Sequence, residues 1–125
     1  MASLTKHLLS EIDTMSGRRF VVGSTEASAA DIFHKTPEAT SIDEMWVYAH
    51  NFGASDVQVT FLWGLTGMPT TSAADIYEGI DVTVPYKSGR ALIFDGVLLY
   101  GGLSAAAYAA VTDTISIDGF VNRIT

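Results

Sequence analysis

Val57, Val59, Phe61 and Trp63 alternate with Gln58, Thr60 and Leu62. A strand turns successive side chains to opposite faces, so this spacing predicts a half-buried strand. It closes the stretch Glu44–Gly64, EMWVYAHNFGASDVQVTFLWG, whose first part, MWVYA, is rich in aromatic and β-favouring residues. Asn51-Phe52-Gly53-Ala54-Ser55-Asp56 lies between the two runs and is turn-rich, with the length of a hairpin connector. The expectation is a long antiparallel hairpin, with Met45, Val47 and Ala49 facing Val59 and its neighbours in the core. Trp46, Tyr48 and Leu62 then fall on the other face. They are costly to leave wet, so a second part of the fold or a second molecule is expected to cover them.

The rest of the chain reads as more short strands. Leu4, Leu8, Ile12 and Met15 fall near helical spacing, so residues 1–17 are expected as a short amphipathic helix or as an arm lying on a neighbouring subunit. Arg19-Phe20-Val21-Val22-Gly23, ended by its glycine, and Asp31-Ile32-Phe33-His34 are short strands, with loops at STEASAAD and around Pro37. Residues 64–79 form the longest irregular stretch, of a kind that is often functional or partner-facing. Ile80, Val82 and Val84 alternate with Asp81 and Thr83, another half-buried strand. Pro85–Gly89 is a turn. Asp95-Gly96 between two apolar runs predicts a hairpin, and the runs lack alternation, so both faces are expected to be buried. Ala105–Val111 is read as a strand packed closely against a neighbour. Ile115, Ile117, Phe120 and Val121 form the last strand, with a bulge at Asp118-Gly119. About eight to ten short antiparallel strands with little helix give an all-β domain over 18–125, a jelly-roll-like β-sandwich, with a small closed barrel as the alternative.

Composition bounds the function. The chain has 125 residues, enough for one domain with its own core. Charged residues are only 17% against 48% hydrophobic; soluble domains carry about 25% charged residues, so part of the exterior is expected to be apolar and to meet a partner. A net charge of −7 speaks against nucleic acid as the main ligand. With no cysteine, a thiol nucleophile and a thiolate metal site are excluded. No apolar run reaches the ~18 residues of a membrane span, and the first residues lack a signal-peptide core. The expectation is a cytosolically made protein.

Motifs for chemistry are sparse. Asp75, Glu78 and Asp81 lie close in sequence and have ligand types for Ca²⁺ or for a glycosidase pair, but the calcium-loop pattern is absent, and solvated loop charge is the simpler reading. His7, His34 and His50 belong to separate segments without metal-ligand spacing. His50 sits at the mouth of the expected hairpin, where a partner would sense its charge. Ser88 is a turn residue with no base beside it in sequence, and no phosphate loop is present. The aromatics Trp46, Tyr48, Trp63, Tyr77, Tyr86 and Tyr100 fit core and subunit interface better than a sugar-stacking platform, because most lie inside strand runs.

VTVPYKSGRALIFDGVLLYGG and AAYAAVTDTISIDGFVNRIT, with the strand pair WVYAHN and VQVTFLWG, resemble small virion structural proteins of tailed bacteriophages. The likeness covers about the last two-thirds of the chain and rests on the order of turns and strands. It implies a non-enzymatic β-sandwich protein that decorates or cements the head, or sits at a head–tail or tail position. It further implies a homo-oligomer, in first place a trimer at a capsid symmetry point, assembled in bacterial cytoplasm and located in the virion. The partner would be the major capsid protein or another virion protein, with no cofactor, nucleic acid or membrane. No functional residue carries over from the resemblance. From the residues themselves the expected interface is Leu4, Leu8, Trp46, Tyr48, Leu62, Met68, Tyr77 and Tyr86. The second hypothesis is a carbohydrate-binding or adhesion module with Trp46, Tyr48 and Tyr86 for stacking and Asp75 or Asp81 for sugar hydroxyls. A sandwich hydrolase is the third.

Overall fold

The strict alternation of Ile42–Asn51 governs the architecture. In this computed structural model, which describes residues 3–9, 20–26, 29–36, 39–65 and 79–125, every second residue of that segment is buried. Nine strands are found among the described residues: β1 (Leu4–Leu8), β2 (Phe20–Val21), β3 (Asp31–Lys35), β4 (Ile42–Asn51), β5 (Val57–Leu65), β6 (Gly79–Val84), β7 (Arg90–Tyr100), β8 (Ser104–Ala109) and β9 (Ile115–Ile124). They form two antiparallel sheets, and no α-helix occurs among the described residues. One sheet has the order β1-β9-β4-β7, with β2 also on β9; the other has β3-β8-β5-β6. Two four-strand orders interleaved in this way are the two Greek keys of a jelly roll. The expected all-β sandwich is therefore the fold.

β1 and β2 share one line along β9. Leu8 sits opposite Phe120 and Phe20 opposite Ile117, so the two short strands are halves of one jelly-roll strand. The helical spacing of Leu4 and Leu8 does not produce a helix at this point. Leu4–Leu8 is a strand, because β9 offers it a free edge and backbone pairing outweighs a narrow apolar stripe. It lies on its own chain, and Ser3 and Thr125 close its end with reciprocal backbone hydrogen bonds of 3.1 and 3.0 Å. Ile12 and Met15 lie outside the described residues.

The hairpin expected over Glu44–Gly64 is not formed. β4 pairs with β7 and β9, β5 pairs with β6 and β8, and the two belong to different sheets. The connector has hairpin length, but Asn51 turns it into a corner. Its Nδ2 donates to the carbonyls of Ser55 and Val84 at 2.7 and 2.9 Å, its Oδ1 accepts from the Gly53 amide, and the Phe52 amide donates to Thr114. The facing relation survives across the sandwich: Met45, Val47, Ala49, Val57, Val59 and Phe61 are all in the one main core. Phe61 anchors that core with edge-on contacts to Phe33 and Phe94 at 6.0 and 5.1 Å.

The two Asp-Gly pairs behave differently from expectation. Asp95-Gly96 does not turn a hairpin; β7 runs through it to Tyr100. Gly96, at φ +94, is skipped in the register between Met45↔Val97 and Trp46↔Asp95, so the pair makes a β-bulge. Nor are both faces of β7 buried: Leu92, Leu98 and Tyr100 are exposed while Phe94 and Leu99 are buried. Asp118-Gly119 is not a bulge against β4, since the register is unbroken from Ile42↔Ile124 to Asn51↔Ile115. Gly119 serves close approach instead. A Cβ there would lie 2.0 Å from the Trp46 carbonyl oxygen. The alanine-rich segment is a strand as expected, with Ala105, Ala106, Ala107 and Ala109 all buried, but it ends at Ala109, short of Val111.

Candidate docking face

The register of the β1-β9-β4-β7 sheet lays its outward side chains in rows. At one end stand Leu4, Ile124, Ile42 and Tyr100. The next row is Lys6, Asn122, Glu44 and Leu98. Then come Leu8, Phe120, Trp46 and Asp95, followed by Asp118, Tyr48 and Leu92. The far end is mostly polar, with Ser116, His50 and Arg90 beside the exposed Val21. Leu4, Leu98 and Tyr100 are 67%, 43% and 57% exposed, and Leu8 and Leu92 are also open to solvent. Isolated exposed apolar residues are ordinary, but a contiguous set on one sheet face marks a surface that meets something.

Most of the polar groups on this face are already satisfied. Glu44 Oε1 accepts from Trp46 Nε1 at 3.2 Å and from Asn122 Nδ2 at 3.1 Å. Arg90 Nε lies 2.9 Å from Asp118 Oδ2, and the Arg90 guanidinium covers the Tyr48 ring at 3.6 Å. Trp46 stacks on Phe120 at 6.0 Å with the planes 10° apart, and Lys6 Nζ lies 4.5 Å over the Phe120 ring. Charges that already have partners lose less on drying than free ones do. Such a face suits a protein surface better than water-borne small solutes.

Of the residues expected at an interface, Leu4, Leu8, Trp46 and Tyr48 come together here. Leu62 does not. It lies on the outer side of the other sheet and is fully buried, clustered with Ala30, Leu65 and Ala106 and flanked by Ile32 and Tyr108. Its own chain covers it, so it presents nothing to a partner. Tyr86 sits in the β6–β7 turn, with Lys87 Nζ 5.2 Å over its ring. Met68, Asp75, Tyr77 and Glu78 lie outside the described residues. Asp81 accepts from Thr60 Oγ1 at 2.7 Å across the sheet. The three histidines remain apart: His7 contacts Thr5, His50 packs edge-on to Phe52, and His34 is in the interior. Ile42, Leu92, Leu98, Phe120 and Ile124 belong to the face but were not expected in it, and Tyr100 was expected only as core or interface. Alternation on β4 points to Ile42, and the same test on β7 finds Leu98 and Tyr100 once Gly96 is counted as a bulge.

The other concentration of polar chemistry is buried. Asp43 and Arg123 are paired across β4 and β9 on the inward phase, and His34 reaches them from the opposite sheet. Arg123 Nε lies 2.7 Å from Asp43 Oδ1 and its Nη2 lies 2.9 Å from Oδ2; His34 Nε2 lies 2.6 Å from Oδ2. Thr36 Oγ1 donates to the same Oδ2 and to the Leu99 carbonyl, both at 3.2 Å. Burial alone would raise the Asp43 pKa, but hydrogen bonds from His34 and Arg123, with their charges, outweigh it and bring the value down to about 2. His34, Thr36 and Asp43 are all fully buried, so no substrate reaches them; the cluster joins the two sheets.

Among the described residues no group of three or more His, Asp or Glu side chains is placed to hold a metal ion. Set against known protein families, curated proteins and solved structures, the chain matches none.

Proposed function

We propose that this chain is a non-enzymatic structural subunit of a bacteriophage particle, a decoration or cement protein that acts by docking the outer face of its β1-β9-β4-β7 sheet. One observation carries the reading. The rows from Leu4–Tyr100 to Leu8–Trp46 form a largely apolar surface crossed by Lys6, Asn122 and Glu44, of which Asn122 and Glu44 are engaged within the chain. The resemblance of the last two-thirds of the chain to small phage virion proteins supports it. So does the jelly-roll topology, an architecture that viral capsid proteins use, although lectins use it too. Fold alone does not choose between those, and what favours the first is the face described above.

Sugar binding is the weaker reading for a specific reason. The three rings expected to stack on a sugar already have partners: Phe120 on Trp46, the Arg90 guanidinium on Tyr48, and Lys87 over Tyr86. A sugar would have to displace them.

The test uses particles of the phage that encodes the chain. Wild-type protein is expected in purified particles at fixed stoichiometry by quantitative mass spectrometry. A Leu98→Asp chain, folded by circular dichroism, is expected to be lost from them. Particles without the chain, or particles that take up Leu98→Asp at the wild-type level, would remove the proposal.

A further inference from the structure

The docking face has direction, and that direction selects a partner. One end row, Leu4-Ile124-Ile42-Tyr100, is wholly apolar, while the other, Val21-Ser116-His50-Arg90, is polar but for Val21. Two charges of the face have no ion-pair or hydrogen-bond partner among the described residues, and they lie on its opposite edges. Lys6 is on β1 and holds only the Phe120 ring, and Asp95 is on β7. Both residues are exposed.

Resting on the docking reading above, we infer that the partner of this face is a second copy of the same chain, joined by a two-fold axis running along the strands. Two identical faces can meet about an axis parallel or perpendicular to the strands. A perpendicular axis sets each strand on its own copy, with His50 under Ile42, Arg90 under Tyr100 and the unpaired Asp95 of the middle row facing the second copy's Asp95. A parallel axis sets the apolar row on its own copy and β1 of one subunit over β7 of the other. Lys6 then lies over Leu98 and one row, about 7 Å along the strands, from Asp95 of the second copy, within reach of a lysine across packed sheets. The charges left over in one chain are neutralised twice at the interface.

The dimensions agree. Ile42 to His50 spans eight steps of about 3.3 Å and four strands cover about 19 Å, so the face is about 500 Å². Two such faces together bury about 1,000 Å², the lower bound for a specific interface. Aligned packing of sheets with a crossing near 30° is the ordinary way for two such faces to meet. This arrangement differs from the trimer implied by the phage resemblance, since a trimer uses two different patches of each subunit.

The experiment is charge exchange read by sedimentation velocity across a concentration series. Wild type is expected as a reversible monomer–dimer system. Lys6→Glu and Asp95→Lys are each expected to weaken the dimer at least tenfold, and the double variant to recover most of the loss. Thermal melts unchanged in all three, taken at a concentration where wild type is monomeric, would show that folding is intact, as suits two exposed positions. A monomer at every concentration, a trimer, or a dimer indifferent to both reversals overturns the two-fold inference. A monomer that still enters particles, and loses entry on Leu98→Asp, leaves the docking function standing without the dimer. Normal entry of Leu98→Asp removes the docking function itself.

Discussion

Arg123 of β9 and Asp43 of β4 stand directly opposite each other and form a two-point ion pair inside the sandwich, at 2.7 and 2.9 Å. His34, arriving from the other sheet, shares the same carboxylate. Taking one member away strands a charge in the interior. Asp43→Asn and Arg123→Met are each expected to cost about 3–5 kcal/mol, measured by urea unfolding. Replacing His34, Asp43 and Arg123 together by apolar residues of similar volume is expected to recover most of that. A cost below about 1 kcal/mol for either single change would mean that the cluster is not coupled to folding.

The same carboxylate sets an acid limit. Its folded pKa of about 2 lies below the ordinary 3.8, so between those values the unfolded chain binds more protons than the folded one. The Asp43 contribution, about 2 kcal/mol, is therefore full above pH 3.8 and is lost as pH falls toward 2. Stability measured from pH 5 down to 2 is expected to fall more gently in Asp43→Asn than in wild type, once each curve is referred to its own value at pH 5. Parallel curves would contradict this.

Two glycines give a contrast that depends on space and not only on φ. At Gly119 a Cβ would strike the Trp46 carbonyl oxygen at 2.0 Å, and the backbone of β4 cannot move without breaking its register. Gly119→Ala is expected to cost about 4 kcal/mol or more, or to abolish folding. At Gly96 the nearest atom is the flexible Glu44 Cγ at 3.5 Å, leaving chiefly the strain of φ +94. Gly96→Ala is expected to cost about 1–3 kcal/mol. The order of the two melting temperatures decides the matter.

Two leucines separate interface from core. Leu98 is 43% exposed and Leu62 is 0% exposed. Leu98→Asp is expected to change folding stability by no more than about 0.5 kcal/mol while abolishing association. Leu62→Asp is expected to unfold the domain or cost about 4 kcal/mol, because its carboxylate would have no partner in the Ala30–Leu65–Ala106 cluster. Similar stability losses in both would contradict the burial described.

How much of this was legible in the sequence differs from strand to strand. Period-two patterns located β4, β5 and β6, and the phase of Met45-Val47-Ala49 put the right side of β4 in the core. That phase also carries Asp43 inward, and the phase of Val121 carries Arg123 inward, so two buried opposite charges were readable, but not that they meet. Pairing was not readable. A corner between sheets and a hairpin within one have the same length and composition at Asn51–Asp56, and only the contacts of Asn51 with Ser55 and Val84 distinguish them. Asp-Gly likewise serves a hairpin, a bulge or a close approach, and the choice at Gly96 and Gly119 is made by what β4 presents to each. Misreading Gly96 hid the outward phase of Leu98 and Tyr100. The docking face was therefore only half visible, from Leu4, Leu8, Trp46 and Tyr48.

Hydroxyl-radical footprinting of the free and assembled protein tests most directly whether this face is where the chain does its work. Leu98, Tyr100 and Leu4 are expected to lose reactivity several-fold on assembly, while Phe52, Tyr86 and Val111, exposed at turns, keep theirs. Protection confined to the turn residues, or unchanged reactivity at Leu98 and Tyr100 in the assembled state, would contradict the account.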